Sequence, residues 1–87
     1  MDYILDFTEQ ANEDIAFHRK SGNRKNLNKI FQLLEDILAH PFEGLGKPEL
    51  LKYNLSGCWS RRINKEHRLI YEVSENRIII LSLKGHY

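Results

Sequence analysis

The sequence predicts an α+β domain: two helices packed on one face of a mainly antiparallel sheet, in the order β-α-α-β-β-β-β. Three observations lead there. Apolar residues recur at helical spacing only in the first half, most clearly between Leu27 and Leu38. Beyond residue 50 the pattern changes to short apolar runs separated by turn-forming residues. Two of those separators, "NKEH" and "SEN", are short enough for hairpin connections, which sets adjacent strands antiparallel.

Each element has its own signal. "DYILDF" is short and rich in apolar and aromatic residues, as a strand would be. Thr8 then offers an N-cap oxygen, with Glu9, Glu13 and Asp14 well placed near a helix N-terminus. The helix that follows should end at Ser21-Gly22-Asn23. In the second helix Leu27, Ile30, Phe31, Leu34 and Leu38 form the expected core stripe, with Ile37 at its edge. Pro41 stops it, because proline disfavours helical geometry in the residue before it. After the loop "PFEGLGKPE" come four strand-like runs, "LLKYNL", "CWSRRI", "RLIYEV" and "RIIILSL". The last is apolar enough to be an interior strand buried on both faces. Its end should leave the core at a fixed place, so the terminal His86-Tyr87 pair is either held by the sheet or a solvated terminus.

At 87 residues the chain suits one domain, spanning 1–87, and its composition is that of an ordinary globular protein. A single cysteine, Cys58, excludes an internal disulfide and a cysteine-rich zinc site, and reads as a small core hydrophobe. No apolar run approaches twenty residues and no basic-then-apolar leader is present, so a cytoplasmic protein without membrane contact is expected. Charge is segregated. Residues 1–40 carry five Lys/Arg against seven Asp/Glu, whereas residues 41–87 carry eight against five. Such a basic half suits a polyanion or an acidic partner.

Within that half, "WSRRINKEHRLIYEV" sets Arg61, Arg62, Lys65 and Arg68 among Trp59, Ile63, Leu69 and Tyr71. Strand alternation puts Trp59, Arg61 and Ile63 on one face and Arg62 on the other. Arg68 opens the next strand, so cations from neighbouring strands converge as a phosphate backbone would require, or as exposed charges that guard a sheet edge. Trp59 reads as packing, and His67 as a solvated turn residue. The four histidines lack metal-ligand spacing, and no acidic cluster resembles a magnesium site, so no metal or cofactor is expected. "EGLGKPE" lacks the full phosphate-loop pattern, and no serine sits in a G-x-S-x-G turn. What remains is glutamate, histidine and a set of cations. Those are the parts metal-free RNA cleavage needs: a base for the 2′-OH, an acid for the departing 5′-oxygen, and positive charge for the phosphorane.

"PFEG", "GKPE", "NLSG", "WSRRI" and "EHRL", in that order, with the terminal "HY", closely resemble the YoeB/Txe family of mRNA interferase toxins, within the RelE/ParE group. The close match spans Pro41 to Val73 and the C-terminus. The resemblance implies a microbial-ribonuclease-like (RelE-like) fold and a ribosome-dependent endoribonuclease that cleaves mRNA in the ribosomal A site. It implies Glu49 as general base, Arg68 as phosphate-binding residue, His86 as general acid and Tyr87 as a further member of the site. Lys52, Arg61 and Arg62 resemble substrate or ribosome contacts. The partners implied are a cognate antitoxin of the YefM/Axe/Phd kind, mRNA with the ribosome, and a second copy in a homodimer. Tyr53 and Cys58 depart from the family's usual His and Phe, and Lys84-Gly85 from the usual Arg and aromatic. The rival within the same group is a ParE-like toxin that inhibits a topoisomerase by binding alone. Such a binder has no need of a Glu-Arg-His-Tyr set, and a basic RNA-binding module would not depend on His86.

Overall fold

In the computed structural model, which describes residues 2–85, Ile4–Phe7 form β1 and Glu9–Lys20 form α1. Thr8 caps that helix as its sequence position predicts: its Oγ1 accepts the Ala11 N–H at 3.0 Å. The same hydroxyl lies within donating distance of the Ile80 and Leu81 carbonyls, so one residue ties the helix start to the sheet. α1 ends at Ser21. Asn23 then caps α2, Arg24–Ala39, by accepting the Asn26 N–H at 3.0 Å.

The remaining chain is sheet. β2 is Glu49–Leu50, β3 Trp59–Arg62, β4 Arg68–Ser74 and β5 Arg77–Ser82. Their spatial order is β1-β5-β4-β3-β2, with β1 parallel to β5 and every other pair antiparallel. The predicted fold class and element order are those observed. The link between β4 and β5 is the tight pair Glu75-Asn76, with Glu75 at a φ of 56°.

Three details differ from the sequence reading. Of "LLKYNL" only Leu50 is in a strand, as the second residue of β2, and Tyr53–Leu55 form a single turn of 3₁₀ helix. The buried side of α2 is Ile30, Leu33, Leu34 and Ile37, so the stripe is rotated from the predicted one. Leu33 is fully buried, whereas Phe31 is 44% exposed. β5 is an interior strand, yet only Ile78 and Ile80 are fully buried; Ile79 and Leu81 on its other face are partly exposed. The reason is the layering. Both helices pack on one side, where Ala11, Ile30, Leu33, Leu34 and Ile37 meet Leu69, Tyr71, Ile78, Ile80 and Leu83. The opposite face carries only a small cluster of Leu51, Cys58 and Ile70, flanked by Leu55 and Leu81. That second face is therefore partly open, and it carries the charged residues singled out in the sequence.

Candidate active site

Register decides which of those residues meet. Glu49 stands opposite Ser60, and Arg62 stands directly opposite Arg68. Alternation along β3 puts Ser60 and Arg62 on one side, so Glu49, Arg62 and Arg68 share the face without helices. Opposed residues in an antiparallel pair lie about 5 Å apart at Cβ. Glu49 and Arg62 are exposed, and Arg68 is half-buried. Like charges directly across a ladder disfavour the pairing, so the sheet itself gives no reason for two arginines there. Lys52, exposed just past β2, lines a shallow groove of about 420 Å³ together with Glu49 and Tyr53. Thus Glu49, Arg62 and Arg68 share one face, and Lys52 lines a groove with Glu49.

Arg61 does not, and its reading as a substrate contact is corrected here. Its side chain is fully buried. Nε donates to the Tyr71 hydroxyl at 3.0 Å. Nη1 donates to Asp36 Oδ2 at 2.7 Å and to the Leu45 carbonyl at 2.9 Å, while Nη2 meets the carbonyls of His40 and Glu43. Tyr71 in turn donates to the Pro41 carbonyl at 2.6 Å. The guanidinium therefore stitches α2, the 40–45 loop, β3 and β4 together. Its hydrogen bond to Asp36 holds that carboxyl below the usual carboxylate range, against the opposing effect of desolvation, with the Leu45 N–H assisting. Burial pushes the Tyr71 phenol up, which keeps it a neutral donor. Gly44 completes the arrangement: it sits at a φ of 118°, and a Cβ there would collide with the Asp36 carboxylate. Much of the "PFEGLG…SRR" signature is structural.

Cys58 is buried, as expected, and burial raises its thiol above the usual value, first by desolvation and then through Glu72. Trp59 packs against the helix-side core and against Phe42, with ring centroids 5.3 Å apart. Among the described residues no three His, Cys, Asp or Glu side chains gather to hold a metal, and no helix is long and apolar enough to cross a membrane.

His86 and Tyr87 lie outside the described residues, but the chain leading to them is held closely. The Leu83 N–H donates to Asp14 Oδ2 at 2.8 Å, and the Leu83 carbonyl accepts from His18 Nε2 at 2.7 Å. Lys84 Nζ sits 4.1 Å from the centre of the Phe17 ring. The Gly85 carbonyl accepts the Arg68 N–H at 3.1 Å, and the Gly85 N–H donates to His67 Nδ1 at 2.9 Å. The point from which residues 86 and 87 depart is thus fixed beside Arg68. Sequence reasoning missed Asp14, His18 and His67. The first two sit four apart on α1, and that i, i+4 spacing of polar residues on a packed face was the available signal.

Comparison with known proteins agrees. A family model for the YoeB-like toxin of bacterial type II toxin–antitoxin systems matches residues 7–87. Toxin YoeB of a Synechocystis species is 46% identical over 81 residues, 93% of each chain. A YoeB dimer from Staphylococcus aureus has the same fold, with a TM-score of 0.88 at 45% identity over the whole of both chains. A heterotetrameric YoeB–YefM toxin–antitoxin complex from the same species matches at a TM-score of 0.85, 45% identity and full coverage of both chains. With motif, register and overall similarity in agreement, the chain belongs to the family of YoeB-like toxins of bacterial type II toxin–antitoxin systems.

Proposed function

We propose that this toxin is a metal-independent endoribonuclease that cleaves mRNA in the ribosomal A site, with Glu49 as base, His86 as acid and Arg68 as the phosphate-binding residue. In this reading Glu49 takes the 2′-OH proton, and the 2′-oxygen attacks the adjacent phosphorus. Arg68, with Arg62 opposite it, balances the charge that builds on the phosphorane oxygens. His86 protonates the 5′-oxygen as the P–O bond breaks. The products are a 2′,3′-cyclic phosphate and a 5′-hydroxyl. Tyr87 completes the acid's surroundings, and Lys52 contacts the RNA backbone. The observation that supports this most is the backbone bond between Gly85 and Arg68, which holds the residue before the terminal dipeptide next to the proposed phosphate-binding cation.

Because the related Staphylococcus aureus proteins form a YoeB dimer and a YoeB–YefM complex, a YefM-like antitoxin and a second copy of the chain are the protein partners in this reading. The test is cleavage of free RNA at high enzyme concentration in EDTA, with end-group analysis of the products. Cyclic phosphate and 5′-hydroxyl ends in EDTA are expected. Cleavage that disappears with EDTA and returns with a divalent ion would overturn the mechanism. Growth arrest without cleavage of free or ribosome-bound RNA would instead support a ParE-like, binding-only toxin.

A further inference from the structure

The terminal dipeptide is only as well placed as the three residues before it, and those are gripped by groups that the cleavage reaction does not use. Asp14 and His18, 3% and 1% exposed, hold the two backbone groups of Leu83 from α1. The Leu83 carbonyl can only accept, so His18 Nε2 carries a proton. His67 holds Gly85. An amide N–H can only donate, so His67 Nδ1 must present its lone pair, which makes the ring the neutral Nε2–H tautomer. The His18 and His67 rings meet edge to face with centroids 4.9 Å apart, and Phe17 lies 6.0 Å from His67. One histidine donates to the C-terminal segment, and its neighbour accepts from it two residues later.

We propose that His67 is a positioning residue, one that holds Gly85, the residue before the His86-Tyr87 dipeptide, beside Arg68 and does so only as a neutral imidazole. This rests on the ribonuclease reading above and adds a regulation to it. Protonation would place an N–H on Nδ1, setting two donors against each other across 2.9 Å and releasing Gly85. Gly85 has a φ of 81°, a conformation open to glycine at little cost, so the segment has other states to relax into once the bond is lost. The charged and titratable groups around the ring come from several elements. Glu66 Oε2 is 4.0 Å from Nε2, and Arg68 follows in the chain. α1 contributes His18, and the C-terminal segment contributes Lys84, held on Phe17. Asn26 of α2 and Asn64 of the turn line the same pocket without charge. The neutral ring keeps the bond and the protonated ring cannot, so acid acts on it in one direction only. The hold on Gly85 then becomes a function of pH.

Two substitutions separate positioning from packing. His67→Phe keeps a ring against His18 and Phe17 but removes the acceptor. His67→Asn puts a non-titrating carbonyl oxygen near the Nδ1 position. Single-turnover RNA cleavage between pH 5 and 8 and hydrogen exchange of the Gly85 amide by NMR should be measured on wild type and both variants. Expected for His67→Phe is a cleavage rate down by about 10–100-fold, the scale of a small misplacement of a reacting group, with RNA affinity unchanged. Expected for His67→Asn is near-wild-type cleavage at neutral pH and a gain relative to wild type as pH falls. Gly85 protection should decline with acid in the wild type, persist in His67→Asn and be absent in His67→Phe. Wild-type cleavage by His67→Phe, or Gly85 protection in the wild type that ignores pH, would overturn the proposal. If the wild type itself cleaves no RNA, the ribonuclease reading fails, and Gly85 exchange alone decides whether His67 holds the terminus.

Discussion

Arg61 and Arg62 are neighbours with opposite fates, and the difference is one step of strand alternation. Arg62 points to the open face across from Arg68, whereas Arg61 points among the helices and satisfies its guanidinium on protein acceptors. Their parity was legible in the sequence, because Trp59 and Ile63 flank Arg61 on its face. The interior role was not legible, since its acceptors are the Asp36 carboxylate, the Tyr71 hydroxyl and the carbonyls of His40, Glu43 and Leu45, which only the fold brings together. Arg61→Ala should therefore unfold or strongly destabilise the protein, by about 3–5 kcal/mol, the scale for breaking a buried ion pair. Arg68→Ala should leave the melting temperature nearly unchanged while cleavage falls by about 10²–10³, as for loss of one electrostatic donor at a transition state. Denaturant melts and single-turnover rates on the two variants check both. Asp36 adds a pH dependence. Its folded carboxyl titrates below its ordinary value of 3.8, so its contribution is complete above that value and is lost as pH falls through the lower folded one. The stability gap between wild type and Asp36→Asn should be widest at neutral pH and should shrink below about pH 4, where the protonated acid and the amide are alike.

At the scale of elements, local chemistry was the easier part to read. The Thr8 cap, the Ser21-Gly22 stop, the Pro41 boundary and the two hairpins follow from side chains within a few residues of each feature. The α2 stripe was harder. Its sequence, "LNKIFQLLEDIL", offers apolar residues at nearly every helical offset, and the sheet chooses the face through Ile30, Leu33, Leu34 and Ile37. Phe31 is left half in solvent despite its size. Leu33→Ala should cost about 2–5 kcal/mol as a buried deletion, whereas Phe31→Ala should cost far less than the 3–5 kcal/mol expected of a buried aromatic. Comparable losses in urea melts would contradict the observed rotation of the helix. β2 was misplaced for a related reason. Its two residues carry too little pattern to announce a strand, while "LLKYNL" carries an apolar pattern that the chain uses partly for a turn.

For the whole molecule, one asymmetry accounts for most of the function proposed. Both helices cover the same side of the sheet, leaving Glu49, Arg62 and Arg68 on the other, and the chain after β5 brings Gly85 to Arg68. The proposed site residues were legible through motif resemblance, not through physics, because a surface glutamate or a terminal histidine has no distinctive local signature. The tethering of the terminus was not legible at all. It depends on contacts between residues 14 and 83, 18 and 83, and 67 and 85, which only the fold brings together. At the centre of the proposed function is a catalytic role for the last two residues of the chain. The most direct measurement is the single-turnover cleavage rate of His86→Gln on ribosome-bound mRNA, with its melting temperature and antitoxin affinity taken on the same preparation. The expected result is a rate lower by about 10²–10⁴, the contribution of a positioned general acid, with stability and antitoxin binding retained. Cleavage at the wild-type rate by a folded, antitoxin-binding His86→Gln protein would contradict it.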